Sequence, residues 1–255
     1  MSRAETFYND RHAVDATFSG AEYHMKSLLS LRAIKEWGAS HSGRQVRLVD
    51  VGCGKGVFLR GFVREIRLRW QIQQVTATGI DIVRSSNDVF SEIAPDFKFL
   101  QQDLDGHPLP LADSSQDFIS CNQVLEHIFA TEILLREFHR VLAPGGICLV
   151  SVPNVCAWVN RLLFLFGGQP LGSELGTEKV TYGFWPASMQ SRLEKFRPSG
   201  HIRDFTPRGL RDLTVHCGFK TVGWWSPNLG LVARLGKWGD RAMGIVLRRG
   251  DSYPR

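Results

Sequence analysis

A chain of 255 residues with 43% hydrophobic and 22% charged side chains has enough apolar material for one α/β domain with an elaboration, or two small ones, and excludes wholesale disorder. Its five cysteines, Cys53, Cys121, Cys148, Cys156 and Cys217, lack CxxC or Cys/His ligand spacing, which favours reduced thiols and argues against a structural zinc site. The formal net charge of +6 is weak evidence for nucleic acid or an anionic surface, since much of it sits where a solvated helix face accounts for it, at Arg60, Arg64, Arg67 and Arg69.

In chain order, the opening MSRAETFYND has no apolar stretch of the signal-peptide kind, and no uncharged run is long enough to span a bilayer, so a cytoplasmic protein is expected. Residues 1 to about 20 and the last few read as loose ends. Glu22 to Trp37 reads as a helix stopped by Gly38. VRLVDV, Val46 to Val51, is a β-branched strand. From Val57 to Trp70, Phe58, Leu59, Phe62, Val63, Ile66 and Trp70 fall at the spacing of a helix with one buried face. VTATGID and FKFLQQD are the second and third strands, and DFISCNQV the fourth. A helix with Thr131 as N-cap runs to Leu142, and APGG turns the chain into a fifth strand, ICLVSVP.

After Pro153 the alternation breaks. Residues 154–200 form an aromatic, glycine-spotted insert. Thr206 and Pro207 then read as N-cap and first position of a helix ending at Gly218, followed by two strands, FKTVGWW and MGIVLRR. Alternating strands and helices predict a parallel sheet covered on both faces. A single domain is expected, with an N-terminal helical segment (1–45), a cofactor-binding core (46–153), the insert (154–200) and a C-terminal helix with strands (201–255).

The chemistry begins at VDVGCGKG. A parallel strand ending in a glycine-rich turn before a helix presents backbone N–H groups to a ligand, and glycine lets that ligand approach without a Cβ in the way. The third glycine of a GxGxxG dinucleotide fingerprint would fall at Val57, so pyrophosphate binding is disfavoured. Asp50, just before the turn, suits a ligand carrying positive charge. Asp81 closes the second strand, where a carboxylate can accept from both ribose hydroxyls. Asp103 closes the third, where it can accept from an adenine amino group. Strand ends of a doubly wound sheet line one crevice.

These stretches resemble the class I S-adenosylmethionine-dependent methyltransferases, closely over Val46 to Asn154, through VDVGCGKG, GIDI, QQDL, LPLADSSQDFISCNQVLEHI and LREFHRVLAPGGICLVSVPN. The resemblance implies a Rossmann-like, doubly wound, seven-stranded and mostly parallel α/β sheet with its last strand antiparallel and an insert after the fifth. It implies S-adenosylmethionine as cofactor, with Asp50, Gly52, Cys53 and Gly54 around the methionine part, Asp81 and Ile82 at the ribose, Asp103 and Leu104 at the adenine, and Asn122 beneath the sulfonium. Cys53 would act through its backbone.

Transfer from a sulfonium mainly requires alignment in a dry pocket, but an alcohol nucleophile also needs a base. His127 in LEHI is the first candidate; a histidine there also serves to cap or pack the following helix. His201 in GHIRDFTPRGL is the second; it would equally brace the helix from Pro207. Some quinone-pathway O-methyltransferases that this segment resembles coordinate a divalent cation through Glu-x-x-Glu-His. Here the first position is Gln123, an amide unsuited to a hard cation, and no metal is expected.

Within the insert, Trp158, Val159, Leu162, Leu163 and Phe166 fall at helical spacing. A helix packed on the core is the favoured reading, with a lid or a peripheral membrane contact through 155–168 as the alternatives. YGFWPASMQSRLEKFRPSGH offers aromatic faces for a sugar or ring.

The leading reading is an O-methyltransferase acting on a small-molecule, saccharide or lipid-linked acceptor. An RNA methyltransferase is the alternative, encouraged by the basic balance and Arg234 to Arg249, but Ser120-Cys121-Asn122-Gln123 lacks the prolines of base-amine enzymes, so nucleic acid is disfavoured. A catalytically silent cofactor-binding partner subunit is a third class, and an NAD-dependent dehydrogenase a remote fourth.

Overall fold

The computed structural model describes residues 21–84, 90–184, 190, 194, 197–226 and 241–250. The expected loose ends, much of the aromatic stretch after Phe184, and the part of the basic region before Arg241 lie outside these residues. In chain order the elements are α1 (Ala21–Ser30), α2 (Arg32–Ser40), β1 (Val46–Val51), α3 (Val57–Trp70), β2 (Val75–Asp81), β3 (Lys98–Gln101), β4 (Gln116–Asn122), α4 (Thr131–Val141), β5 (Leu142–Pro153), α5 (Trp158–Leu165), α6 (Pro207–His216), β6 (Phe219–Trp225) and β7 (Ala242–Arg249). One-turn 3-10 segments lie at Phe90–Glu92 and Leu125–His127.

The strands form one seven-stranded sheet in the order β3-β2-β1-β4-β5-β7-β6. The pairs among β1 to β5 are parallel, while β7 runs antiparallel between β5 and β6. This is the doubly wound arrangement expected, with β7 as the reversed strand.

Strand alternation divides the core into two layers. Leu48, Phe118, Ile147 and Leu149 face one way, onto Leu28, Ile34, Trp37, Phe62 and Ile66. Val49, Val51, Ile119, Cys148 and Val150 face the other way, onto Leu134, Leu135, Phe138 and Leu210. Trp37 locks the first layer: its ring lies 5.3 Å from Phe118, and its indole N–H donates to the Asp117 carbonyl at 3.0 Å. Burial of each such large side chain contributes about 1.5–3 kcal/mol. The reversal between β1 and β4 puts the C-terminal tips of these strands at the sheet's switch point, where β1, β2 and β4 present Asp50, Asp81 and Asn122.

Local departures have identifiable causes. The first helix is two: Leu31, extended at φ −66° and ψ 137°, separates α1 from α2. Gly38 lies inside α2 rather than ending it, because a Cβ there would meet the Trp70 ring at 2.2 Å; the glycine admits an indole, not a stop. Thr131 is the first residue of α4 and not its N-cap; that position is Ala130, no side chain caps the helix, and Asp105 instead holds the approach to it, accepting from Phe129 N at 3.1 Å and Ala130 N at 2.8 Å. The helix ends at Val141, and β5 starts at Leu142. Ala143 to Gly146 bulge out of that strand, since Gln116 faces Leu142 whereas Phe118 already faces Ile147. β3 stops at Gln101, two residues short of Asp103, which lies in the following loop. At α6 the expectation holds: the Thr206 hydroxyl accepts from Gly209 N at 3.0 Å, and Pro207 opens the helix.

Helix α5 departs from the expected packing. Of the five residues at helical spacing, Trp158, Leu162 and Phe166 are exposed and Val159 and Leu163 half-buried, while its buried residue is Asn160. The Asn160 side chain donates to Asn154 O and Leu171 O and accepts from Leu171 N at 2.8 Å, so a polar anchor seats the helix and turns its apolar side outward.

Candidate functional site

The turn after β1 is built from three glycines with left-handed backbones, Gly52 at φ 73°, Gly54 at 50° and Gly56 at 80°. They serve different ends. A Cβ on Gly52 would lie 2.2 Å from Val124, and one on Gly56 would lie 2.7 Å from Phe90, so both are required by packing. A Cβ on Gly54 would meet nothing within 4 Å, which leaves bare main chain facing open space. The Cys53 side chain turns inward, its Sγ 2.7 Å from where a Cβ on Gly79 would stand, so only its backbone can serve a ligand.

Around this turn two of the three expected acids, Asp81 and Asp50, come together. The Asp81 carboxylate is buried and accepts from Gly54 N at 2.8 Å and Val83 N at 3.4 Å. The same carboxylate therefore fixes the turn's shape. Asp50 is buried beside it and accepts from the Ser120 hydroxyl at 2.6 Å. Burial pushes the Asp50 carboxyl up to about 7; the Ser120 hydrogen bond opposes the rise and the Asp81 charge adds to it. A buried carboxyl held near neutrality has everything to gain from a cationic neighbour. Beyond β3, Asp103 accepts from Asp105 N at 3.0 Å, and the Leu104 side chain is packed in the core, leaving its main chain for recognition. Ile82 uses its carbonyl to accept from Gln101 Nε2 at 3.1 Å. Asn122 accepts from Ser151 Oγ at 2.9 Å, but its buried Nδ2 has no acceptor among the described residues. An open glycine face, a near-neutral buried acid and a donor awaiting an acceptor fit a charged sulfur nucleoside.

The two histidines, 74 positions apart, come together, with ring centroids 4.9 Å apart. His127 Nδ1 lies 3.1 Å from Gly200 O, and His201 Nδ1 lies 2.6 Å from Gly172 O. A carbonyl only accepts, so in each ring Nδ1 carries the proton and Nε2 is the basic nitrogen. His201 Nε2 stands 4.0 Å from Glu126 Oε1. Glu126 is fully buried, neither carboxylate oxygen has a hydrogen-bond donor among the described residues, and burial raises its carboxyl to about 8.

Two residues that the sequence pattern did not single out hold these groups in place. The Glu174 carboxylate collects three consecutive backbone donors, Ser199 N at 2.5 Å, Gly200 N at 2.7 Å and His201 N at 3.1 Å. It thereby places His201 directly and His127 through the Gly200 carbonyl. Ser120 holds Asp50. No local motif marks Glu174, since its partners lie 25 to 27 positions away.

A family model described as a methyltransferase domain matches residues 20–223. The chain belongs to this methyltransferase domain family. S-adenosylmethionine is the cofactor of such a domain, and the residues around Gly54 fit it. Among curated relatives, the chain is similar to a malonyl-[acyl-carrier protein] O-methyltransferase of Yersinia pestis, 28% identical over 56% of this chain and 51% of that one. It is similar to a ubiquinone biosynthesis O-methyltransferase of Pseudomonas paraeruginosa, 23% identical over 72% of this chain and 63% of that one. The methyltransferase thus spans about half to under two thirds of the length of these relatives. Among solved structures, an S-adenosylmethionine-dependent methyltransferase from Mesorhizobium loti shares the fold at a TM-score of 0.51 and 17% identity, covering 87% of this chain and 100% of that one.

Proposed function

We propose that the protein is a cytoplasmic enzyme that transfers the methyl group of S-adenosylmethionine to a hydroxyl of a small-molecule, saccharide or lipid-linked acceptor. The observation that carries this reading is the meeting of His127 with His201 three residues beyond Val124, which packs on Gly52 of the glycine turn where Asp81 holds Gly54 N. When bound, the cofactor supplies a methyl group made electrophilic by its sulfonium. Asp50 offsets the positive charge, Asp81 and Ile82 take the ribose, the Asp103–Leu104 stretch takes the adenine, and the Asn122 amide donates toward the methionine end. His127, with Nε2 as its basic nitrogen, accepts the acceptor's hydroxyl proton, and His201 stands next in line.

The class of acceptor draws support from two sides. The O-methyltransferases named above act, by their names, on an acyl group borne by a carrier protein and in ubiquinone biosynthesis. In this chain the exposed apolar side of α5, with Phe164, Leu165 and Phe166, offers a surface for an apolar acceptor or the lipid that bears one. No helix among the described residues is long and apolar enough to cross a membrane.

The test is incubation with methyl-labelled S-adenosylmethionine and a panel of hydroxylated small molecules, saccharides and lipid-linked acceptors, followed by mass spectrometry. Label on an acceptor oxygen is expected. Cofactor binding with no transfer across the panel would favour the silent subunit, and label in RNA would redirect the assignment.

A further inference from the structure

We propose that Glu126, His127 and His201 form a binding site for one divalent ion of the borderline class, Zn²⁺ foremost. One ligand atom from each of the three lies within 4.8 Å of the others. The two histidines present the geometry usual for metal ligands, with the Nδ1–H anchored on a backbone carbonyl, Gly200 O for His127 and Gly172 O for His201, so that Nε2 is the coordinating nitrogen. The carboxylate supplies the second, independent observation. Glu126 is wholly buried with both oxygens undonated among the described residues, and one of them stands 4.0 Å from His201 Nε2. A buried carboxylate without donors costs several kcal/mol unless a proton or a cation satisfies it. A cation here would be met by two imidazoles and one carboxylate, a donor set that suits Zn²⁺ with a fourth position open, and not the all-oxygen shell of Mg²⁺ or Ca²⁺.

This site keeps the last two positions of the Glu-x-x-Glu-His arrangement weighed from the sequence and takes its third ligand from elsewhere. Gln123 stays out of it: its backbone turns to φ 57° and its amide donates to Ser151 Oγ at 3.4 Å. The third ligand arrives instead from the far end of the insert, where Glu174 holds the Ser199–His201 turn by three backbone N–H groups. The pairing of Glu126 O with Ile202 N at 2.9 Å ties that turn to the 3-10 segment carrying the other two. The ion's role rests on the methyl transfer to a hydroxyl proposed above and replaces the base role given there to His127, since Nε2 cannot hold an ion and take a proton at once: an acceptor hydroxyl in the open position would have its pKa lowered and would lose its proton to water. Binding of the ion does not depend on that reading.

The experiment uses the full chain, stripped with chelator and dialysed, then titrated with Zn²⁺ against a competing chromophoric chelator, and separately with Co²⁺ as a spectroscopic probe. One ion per chain and a tetrahedral Co²⁺ absorption band are expected. His201→Ala should weaken Zn²⁺ binding by more than the roughly 10–100-fold that loss of an outer-shell partner costs. Glu126→Gln should do the same, with circular dichroism confirming the fold of both, and His107→Ala, an exposed histidine elsewhere, should bind as the parent does. Equal Zn²⁺ affinity in the parent and in folded His201→Ala would overturn the site. Full methyl transfer by the stripped protein would overturn the ion's role and leave the O-methyltransferase reading standing, whereas an ion bound at one per chain without transfer to any acceptor would overturn that reading and leave the binding site standing.

Discussion

Replacing Asp50 by asparagine isolates the group on which cofactor affinity should turn. Its carboxyl is raised from the ordinary 3.8 to about 7 because it is buried. At about 1.4 kcal/mol per pH unit, ionising it in the unliganded protein costs on the order of 4 kcal/mol, an upper figure for a site that can relax. A cation bound beside it reverses that cost. The cofactor therefore selects ionised Asp50, and its affinity should rise with pH through 7, by about tenfold between pH 6 and pH 8, with release of a proton on binding. Isothermal titration in buffers of different ionisation enthalpy reads both quantities. Asp50→Asn should bind more weakly and without this pH dependence, and it serves as the baseline for every other titrating group, the cofactor's own amine included. The folding arm has a fixed sign: the folded pKa lies above the unfolded one, so this group's stabilisation is complete below about pH 4 and is lost as pH rises through 7. The unliganded protein should lose thermal stability relative to Asp50→Asn over that window. Affinity that is flat with pH, or that the asparagine variant follows, would refute the placement of positive charge beside Asp50.

Gly54→Val should abolish cofactor binding in two ways, by filling open space at the turn and by straining a φ of 50°; normal binding by a folded variant in equilibrium dialysis would move the cofactor elsewhere. Asp81→Ala removes the acceptor of the Gly54 N–H, so cofactor affinity should fall by about tenfold or more, and unchanged affinity would place the ribose elsewhere. Glu174→Ala frees three backbone N–H groups and should lower kcat while sparing cofactor affinity, with the pH–rate profile broadened as the two histidines lose their fixed orientation; an unchanged profile would make Glu174 merely structural. Gly38→Ala should destabilise the fold by about 1–3 kcal/mol in chemical denaturation, because its Cβ collides with Trp70, and a neutral result would mean that the indole can move aside.

The strand, glycine turn and helix that open the candidate site were legible because they are local. Val46–Val51, the glycine turn and the helix from Val57 to Trp70 are contiguous, and the period of the apolar residues set both elements with the boundaries observed. Asp81 and Asn122 could be placed because they end such strands. What failed did so where distant residues decide. Gly38 looks like a helix stop until Trp70 comes to rest on it. Thr131 is a good cap residue, but Asp105, from a distant loop, fixes the chain at Phe129 and Ala130, and the helix starts on Thr131 itself. The apolar spacing of α5 predicts a core face, yet Trp158, Leu162 and Phe166 stay exposed while Asn160 is buried, because its three hydrogen bonds to main chain are made only if it points inward. His127 and His201 could each be nominated from chemistry alone. Their meeting, with Glu126 beside His201 and Glu174 holding the turn, depends on how the insert returns, which the helical spacing at its start does not indicate.

The measurement that bears most directly on the account is the crystal structure of the protein with S-adenosylhomocysteine. The account predicts the nucleoside against the bare main chain of Gly54, its ribose hydroxyls on Asp81 and its amino-acid end near Asp50 and Asn122. A ligand seated away from the β1, β2 and β4 tips would contradict it.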